Sequence, residues 1–237
     1  MILITRPLES SQQLIEAFHA FNWDYCWIPM LSIQPCTTAQ PPLHSDLIIF
    51  ISPQAVHHYF KLGHSRPKAQ VCAVGPSTAT CLTQYGCSNI LIPDTTYSMA
   101  GLLAHPQLQT LTHQSITLVC GEPYTTTAQD MLVARGADVK VYTVYRRTGP
   151  MPSSIEALKR LDTHSLKAIT FSSLSTLNYF NEVIQKYELQ TFLKCPWIVI
   201  STAMYDHYHT QAQCILAENP TPQAIIKALT PILSASN

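Results

Sequence analysis

Strand-like apolar runs alternate with helical periodicities along the whole chain, and two of the strand-to-helix turns read alike. Leu47-Ile-Ile-Phe-Ile-Ser-Pro-Gln-Ala-Val56 registers on Ala168-Ile-Thr-Phe-Ser-Ser-Leu-Ser-Thr-Leu177, with Ile48 on Ile169, Phe50 on Phe171 and Ser52 on Ser173. An apolar strand that passes at once into a helix has to be covered on both faces, so this alternation calls for parallel sheets flanked by helices. In both turns the last residue before the helix is a serine, which caps exposed helical amides, and capped helix N-termini attract anions. A repeated turn of this kind suggests two similar lobes facing one anionic ligand.

The duplication extends beyond the turns. In the first half the pattern predicts strands at Ile2–Thr5, Leu47–Ile51, Val71–Val74 and Ile90–Ile92, with a longer extended run at Tyr25–Ile33. Helices are expected at Ser10–Phe21, Pro53–Leu62, Pro76–Tyr85 and, as a minor one, Met99–Ala104. The second half repeats the order, with strands at Ile116–Cys120, Val139–Arg147, Ala168–Ser172, Ile198–Ile200 and Cys214–Leu216. Its helices are Thr126–Arg135, stopped by Gly136, then Leu174–Gln185, Thr202–Gln211 and Pro222–Leu233. Trp23-Asp24 falls on Ala137-Asp138 and Gly75 on Ser201, so the offset between halves drifts only by loop-sized steps. Proline-bearing extended segments follow the second strand of each half, at Ile28 to Pro35 and Tyr145 to Pro152. If the chain crosses between lobes at both, the fold is α/β with two similar lobes of parallel sheet flanked by helices, joined by a two-stranded linker. Residues 1–34 plus 151–237 then form a discontinuous domain and residues 35–150 a continuous one.

Charge narrows the partner. Fourteen basic residues balance fourteen acidic ones, and no Lys/Arg cluster exceeds Arg146-Arg147, so there is no nucleic-acid footprint. An anionic ligand would have to be held by backbone amides and hydroxyls. Eight cysteines show neither a C-x-x-C pair nor zinc-ribbon spacing and sit mostly in apolar runs, as free thiols of a reducing cytosol do. The first residues lack the basic and apolar regions of a signal peptide, and no apolar run approaches the roughly 20 residues that cross a bilayer. A cytoplasmic protein is the expectation.

Candidate site residues cluster at strand ends, where open parallel sheets bind ligands. Ser52-Pro53-Gln54 and Ser173-Leu174-Ser175 lead; their competing reading is helix capping alone. Gly75, Ser77 and Thr78 form another such turn, and Ser201-Thr202 keeps its hydroxyls without the glycine; ordinary turn chemistry accounts for either equally well. Cys120-Gly121-Glu122-Pro123 ends a strand that could line the same cleft, and there Glu122 reads better as a favourable charge at a helix start than as a base. Tyr145 stands where the chain crosses between lobes; its phenol can donate a proton at neutral pH, while the plainer reading is a core-packing ring. The ten histidines lack metal-site spacing, and no dinucleotide fingerprint, P-loop or G-x-S-x-G elbow occurs.

Taken in order, Ile2-Leu-Ile-Thr-Arg-Pro7, Asp46-Leu-Ile-Ile-Phe-Ile-Ser-Pro-Gln-Ala-Val56, Ala73-Val-Gly-Pro-Ser-Thr-Ala79, Ala134-Arg-Gly-Ala137 with Val144-Tyr-Arg-Arg147, Ile169-Thr-Phe-Ser-Ser173 and Pro220-Thr-Pro-Gln-Ala224 resemble the uroporphyrinogen-III synthase family. The resemblance implies a monomeric lyase of haem and tetrapyrrole synthesis that needs no cofactor and no metal. Its substrate would be hydroxymethylbilane, a linear tetrapyrrole with eight carboxylates. The family closes the ring with inversion of ring D and loss of water, by way of an azafulvene cation and a spiro intermediate. The tyrosine matching Tyr145 is the family's favoured proton donor. The matching turns make Arg6, Ser52, Pro53, Gln54, Gly75, Ser77, Thr78, Gly121, Ser173, Ser175, Ser201 and Thr202 the expected substrate contacts. Partners beyond the substrate would be limited to a transient contact with the preceding pathway enzyme, with no nucleic acid and no membrane.

This sequence departs from the family pattern at several of these places. Cys120 stands where many relatives carry arginine, Pro123 replaces a glycine, Ile51 and Gln54 replace commoner polar residues, and Ser201-Thr202 replaces Gly-Pro. Two other readings compete: a bilobal binding protein for an anionic small molecule, which needs the cleft but no proton donor, and a nucleotide-sugar transferase, for which no nucleotide motif is visible.

Overall fold

The computed structural model describes residues 1–36 and 44–234. The chain divides into two compact units, one made of Met1–Ser32 with Thr148–Asn237 and the other of Ile33–Arg147, so the crossings fall slightly before residues 34 and 151. No helix among the described residues is long and apolar enough to cross a membrane.

The first unit holds β1 (Ile2–Ile4), α1 (Leu8–Ala20) and β2 (Tyr25–Trp27), then, after the excursion into the second unit, its remaining elements. Within the second unit lie β3 (Ser32–Pro35, starting at the crossing), β4 (Leu47–Phe50), α2 (Pro53–Lys61), β5 (Gln70–Ala73), α3 (Pro76–Gln84), α4 (Met99–Leu103), β6 (Ser115–Glu122), α5 (Thr127–Val133) and β7 (Asp138–Thr148). The chain returns through α6 (Pro152–Arg160), β8 (Ala168–Thr170), α7 (Leu174–Lys186), β9 (Trp197–Val199), α8 (Thr202–Tyr208), β10 (Cys214–Leu216) and α9 (Pro222–Ser234).

In the first unit the strands run β10-β9-β8-β1-β2, all in parallel register. Alternate strand side chains face opposite ways, and both faces are apolar. Leu3, Ile169, Trp197 and Val199 pack against Phe180 and Ile184 of α7, Tyr208 of α8 and Leu158 of α6. Ile2, Ile4, Ala168 and Ile198 pack on the other side against Leu14 and Phe18 of α1 and Ile225 and Leu229 of α9.

The second unit orders its strands β3-β7-β6-β4-β5, with β7-β6-β4-β5 in parallel register. Ile48, Phe50, Val71 and Val119 meet α2 and α3 on one face, while Leu47, Ile49, Cys72, Ile116 and Leu118 meet α4 and α5 on the other. Read from β2 and β7, the two sheets share one order, β2-β1-β8-β9 matching β7-β6-β4-β5.

Three expectations change. The extended run Tyr25–Ile33 is two strands broken around Pro29, and β3 joins β7 in the second sheet instead of continuing β2. Proline has no amide to carry a ladder through that point. Ile90–Ile92 contributes only an isolated bridge from Leu91 to Cys72, where the first unit has the full strand β10. Pro152–Arg160, where the sequence pattern predicts no element, is a helix that starts on the last residue of the expected linker, with proline at its first position and buried Leu158 facing the core.

Candidate functional site

In each sheet the connections leave in opposite directions at one place, between β1 and β8 in the first unit and between β6 and β4 in the second. Such switch points open a crevice beyond the carboxyl ends of the strands. Most of the candidate residues lie at or beside these two points.

In the second unit, β4 runs out at Phe50 and Ser52 adopts extended backbone, its Oγ accepting from the Ala55 amide at 3.2 Å. Pro53 has no N–H to give, and the Val56 amide bonds the Ser52 carbonyl, which leaves the Gln54 amide as the donor at this helix start. Beside Ser52, β6 ends in Cys120-Gly121-Glu122. A register shift between Cys120 and Gly121 sets Gly121 opposite Tyr145 of β7.

That pairing explains the glycine. A Cβ at residue 121 would lie 2.1 Å from the Tyr145 ring, so the ring sits directly on bare backbone. His58 of α2 packs against the same ring, at 5.2 Å between centroids. Tyr145 is thus almost wholly buried, yet its hydroxyl is met by a side chain: Arg147 Nη2 donates to it at 3.2 Å. Arg147 also lies over the ring, with its guanidinium carbon 5.6 Å from the centroid.

Ser52, Leu118, Cys120, Gly121, Tyr145 and Arg147 are among the residues that line a cavity of about 210 Å³ at this point. Burial pushes the Cys120 thiol up to about 12, so it is a neutral wall of that cavity. Glu122 faces away from the base role: its carboxylate takes the Arg146 Nε at 2.7 Å as an ion pair. This pairing, more than a helix start, accounts for Glu122. Larger concavities of about 500 and 390 Å³ open at the amino ends of the strands, around Arg66 and Lys68, and contain none of the candidates.

Gly75 caps α3 in extended backbone, and a Cβ there would only touch Tyr97 at 3.4 Å, so neither geometry nor space demands a glycine. Ser77 is exposed while Thr78 is buried. Neither they nor Gly75, Pro53 and Gln54 line the Tyr145 cavity.

In the first unit the switch point carries Arg6 and Ser173. Thr5 Oγ1 donates to the Thr170 carbonyl at 2.7 Å and Thr170 Oγ1 to that of Leu3, locking β1 to β8 just before the crevice. Ser173 Oγ accepts from the Thr176 amide at 3.2 Å, and the Leu177 amide bonds the Ser173 carbonyl. The amides of Leu174 and Ser175 therefore remain at the start of a 13-residue helix. Ser201 repeats the cap on Met204 at 3.3 Å, with Thr202 exposed at the first position of a shorter helix, α8.

Arg6 is the least settled group here. Its backbone carbonyl receives Trp27 Nε1 at 2.9 Å and Ser11 Oγ at 3.2 Å, but its side-chain Nε is buried without a hydrogen-bond partner. Burial lowers the pKa of the guanidinium from its ordinary value. A half-buried cation whose Nε is buried and unpaired thus stands at this switch point.

Sequence reasoning overlooked Arg147, His58 and the Gly121–Tyr145 contact. The signal available for Arg147 was its period-two spacing from Tyr145, which puts both on one strand face.

Residues 7–227 match the model of the family described as uroporphyrinogen-III synthase HemD. The chain is 24% identical over 214 residues to the uroporphyrinogen-III synthase of Escherichia coli K12, covering 84% of this chain and 87% of that one. A uroporphyrinogen-III synthetase structure from Helicobacter pylori 26695 superposes with a TM-score of 0.63 at 16% identity, covering 99% of this chain and 98% of the other. A mutant uroporphyrinogen III synthase structure from Thermus thermophilus gives 0.54 at 15% identity, covering 99% of both. At these identities the two structures speak to the fold.

Proposed function

The chain belongs to the uroporphyrinogen-III synthase family, and on that premise we propose how its own residues serve the family's reaction. It is a cyclising lyase of tetrapyrrole and haem synthesis, acting on hydroxymethylbilane. The observation that carries this is the family match across residues 7–227.

The chemistry asks little of the protein beyond a proton and a geometry. A pyrrole nitrogen lone pair expels the terminal hydroxyl once that oxygen is protonated, so the C–O bond breaks and water leaves. The resulting azafulvene cation is attacked by ring D at its substituted carbon, giving the spiro intermediate; the original bond from that carbon to the bridge to ring C then breaks, leaving a cation at the bridge on which the unsubstituted carbon of ring D closes, inverted, with loss of its proton. Tyr145 is our proton donor. Its support is the cavity it shares with Ser52 and Gly121, which the phenol borders while its ring packs against Gly121 and His58.

The carboxylates of the bilane are assigned to the switch-point turns. Arg6 takes one through its half-buried guanidinium, the Leu174 and Ser175 amides beside Ser173 another, and the Gln54 amide beside Ser52 a third. Pro53, Gly75, Ser77, Thr78, Ser201 and Thr202 are assigned as flanking contacts. Holding the flexible chain in one geometry is the larger task, since the free bilane closes by itself to the uninverted isomer. The reading takes the enzyme as a cytoplasmic monomer that needs no cofactor and receives its substrate from the preceding enzyme.

The test is to supply purified protein with fresh hydroxymethylbilane and separate the oxidised products by isomer. Isomer III should dominate at a rate above that of the buffer blank; isomer I alone, at the blank rate, refutes the assignment. Tyr145→Phe should bind bilane and turn it over more slowly, and an unchanged rate removes Tyr145 as donor.

A further inference from the structure

We propose that Arg147 is a positioning residue for Tyr145 and, with the same guanidinium, the carboxylate anchor of the Tyr145 cavity; this rests on the reading of Tyr145 as proton donor. Three observations converge. Among the described residues that line the cavity of about 210 Å³, Arg147 is the one charged side chain. Its Nη2 donates to the Tyr145 hydroxyl at 3.2 Å. Its guanidinium also rests over the Tyr145 ring, 5.6 Å from the centroid, which restrains the long side chain without a competing carboxylate.

The geometry has a direct consequence for the proton. A phenol oxygen has one hydrogen and two acceptor positions. An N–H from Arg147 fills one acceptor position, so the phenol hydrogen must point elsewhere. Gly121 and His58 already cover the ring. The side left open is the cavity, where the leaving hydroxyl of the bilane would sit. Arg147 cannot accept a hydrogen bond, so it never competes for that proton.

The remaining N–H groups of the fork are available to substrate. A guanidinium has five donors and engages a carboxylate in two parallel bonds, so one substrate side chain and the Tyr145 hydroxyl can be held by a single group. The neighbouring Arg146 is not equivalent. It stands on the opposite strand face, already paired with Glu122 at 2.7 Å. In this arrangement carboxylate binding and proton delivery are coupled, which favours the bilane over a pyrrole chain lacking that side chain.

Steady-state rates for Arg147→Gln, Tyr145→Phe and the double variant, with Arg147→Lys as the conservative control, test it. Arg147 is exposed, so circular dichroism and melting should match the parent protein. With Tyr145 in place, Arg147→Gln is expected to lower kcat about tenfold and to raise KM; added to Tyr145→Phe, it should raise KM without lowering kcat further. Arg147→Lys should recover KM more than kcat, because a point charge keeps the attraction and loses the fork. Equal kcat losses in both backgrounds, or no loss in either, overturn the positioning role while leaving Tyr145 in place. If Tyr145→Phe itself costs nothing, the donor reading and this inference fall together.

Discussion

The two units place chemically opposite residues at the same structural position. Ile49 of β4 is the counterpart of Thr170 of β8, and their partners are Leu118 and Ile4, so Thr5 answers to Val119 and Arg6 to Cys120. One switch point thus carries a half-buried cation with a buried, unpaired donor. At the other is a buried thiol held neutral, with the cation supplied by Arg147 on the adjoining strand β7. A duplicated scaffold fixes where ligand-facing residues stand but not what they are, and the charge has moved to a neighbouring strand in one copy. The cores diverge likewise. Trp197 opposite Ile169 in the first unit corresponds to Val71 opposite Ile48 in the second. The first unit packs Phe171, Phe180, Phe192 and Trp197 into one wholly buried aromatic cluster, where the aromatic network of the second, Phe50 and Tyr142 with Tyr59, Phe60 and Tyr85, is tyrosine-rich and partly exposed.

That contrast can be broken most forcefully in the cores. Trp197→Ala should cost the first unit about 3–5 kcal/mol, against about 2 kcal/mol for Val71→Ala in the second, because the lost transfer energy and the cavity both scale with volume. All three tryptophans lie in the first unit, so their fluorescence in urea follows that unit, and hydrogen exchange reports on both. Equal losses would mean that the aromatic cluster is not the stronger core.

Next is Gly121→Ala, whose methyl would enter the Tyr145 ring. About 1–3 kcal/mol of overpacking is expected, together with a fall in isomer III production as the phenol is displaced. Gly75→Ala meets only ordinary contact and should stay within about 0.5 kcal/mol of wild type. A Gly121→Ala variant with full stability and normal activity would disprove the ring-on-backbone account.

Arg6→Met should act in opposite directions on stability and binding. It removes a buried donor that has no partner, so the ligand-free protein should gain about 1 kcal/mol in urea unfolding, while KM for hydroxymethylbilane rises. A destabilised variant with unchanged KM would make Arg6 structural. Cys120→Arg, which would give both units the same charge at this position, offers the reciprocal check on KM.

Two buried thiols leave no mark at neutral pH, and their effect appears only at alkaline pH. Burial pushes the thiols of Cys72 and Cys120 up from 9.0 to about 12, so the folded state keeps protons that the unfolded chain releases. Their contribution is full below pH 9 and is lost as pH rises from 9 towards 12, since there the unfolded state binds fewer protons. Hydrogen exchange in the second unit should show that decline, and Cys72→Ala with Cys120→Ala should flatten it. Near neutral pH these thiols should leave stability independent of pH.

Much of the fold was legible because its signals are local. Ser52 and Ser173 cap helices as their spacing demanded, each accepting from the amide three residues on. The alternation of apolar runs required parallel strands covered on both faces. Pro152–Arg160 carries only a weak helical signal because its apolar face rests on few residues, Ile155 and Leu158 among them. The break at Pro29 was visible, but which sheet the residues after it would join was not.

What the sequence alone determined is the set of strand-to-helix turns and their caps, since a serine three residues before an amide needs no distant partner. Tertiary structure decided which turns share a cavity. Gly121 meets Tyr145 only because β6 slips register beside β7, and that slip sets the phenol, which Arg147 reaches through the strand's own two-residue period, beside the end of β6. Register between strands is a long-range choice made by packing, and no local pattern encodes it.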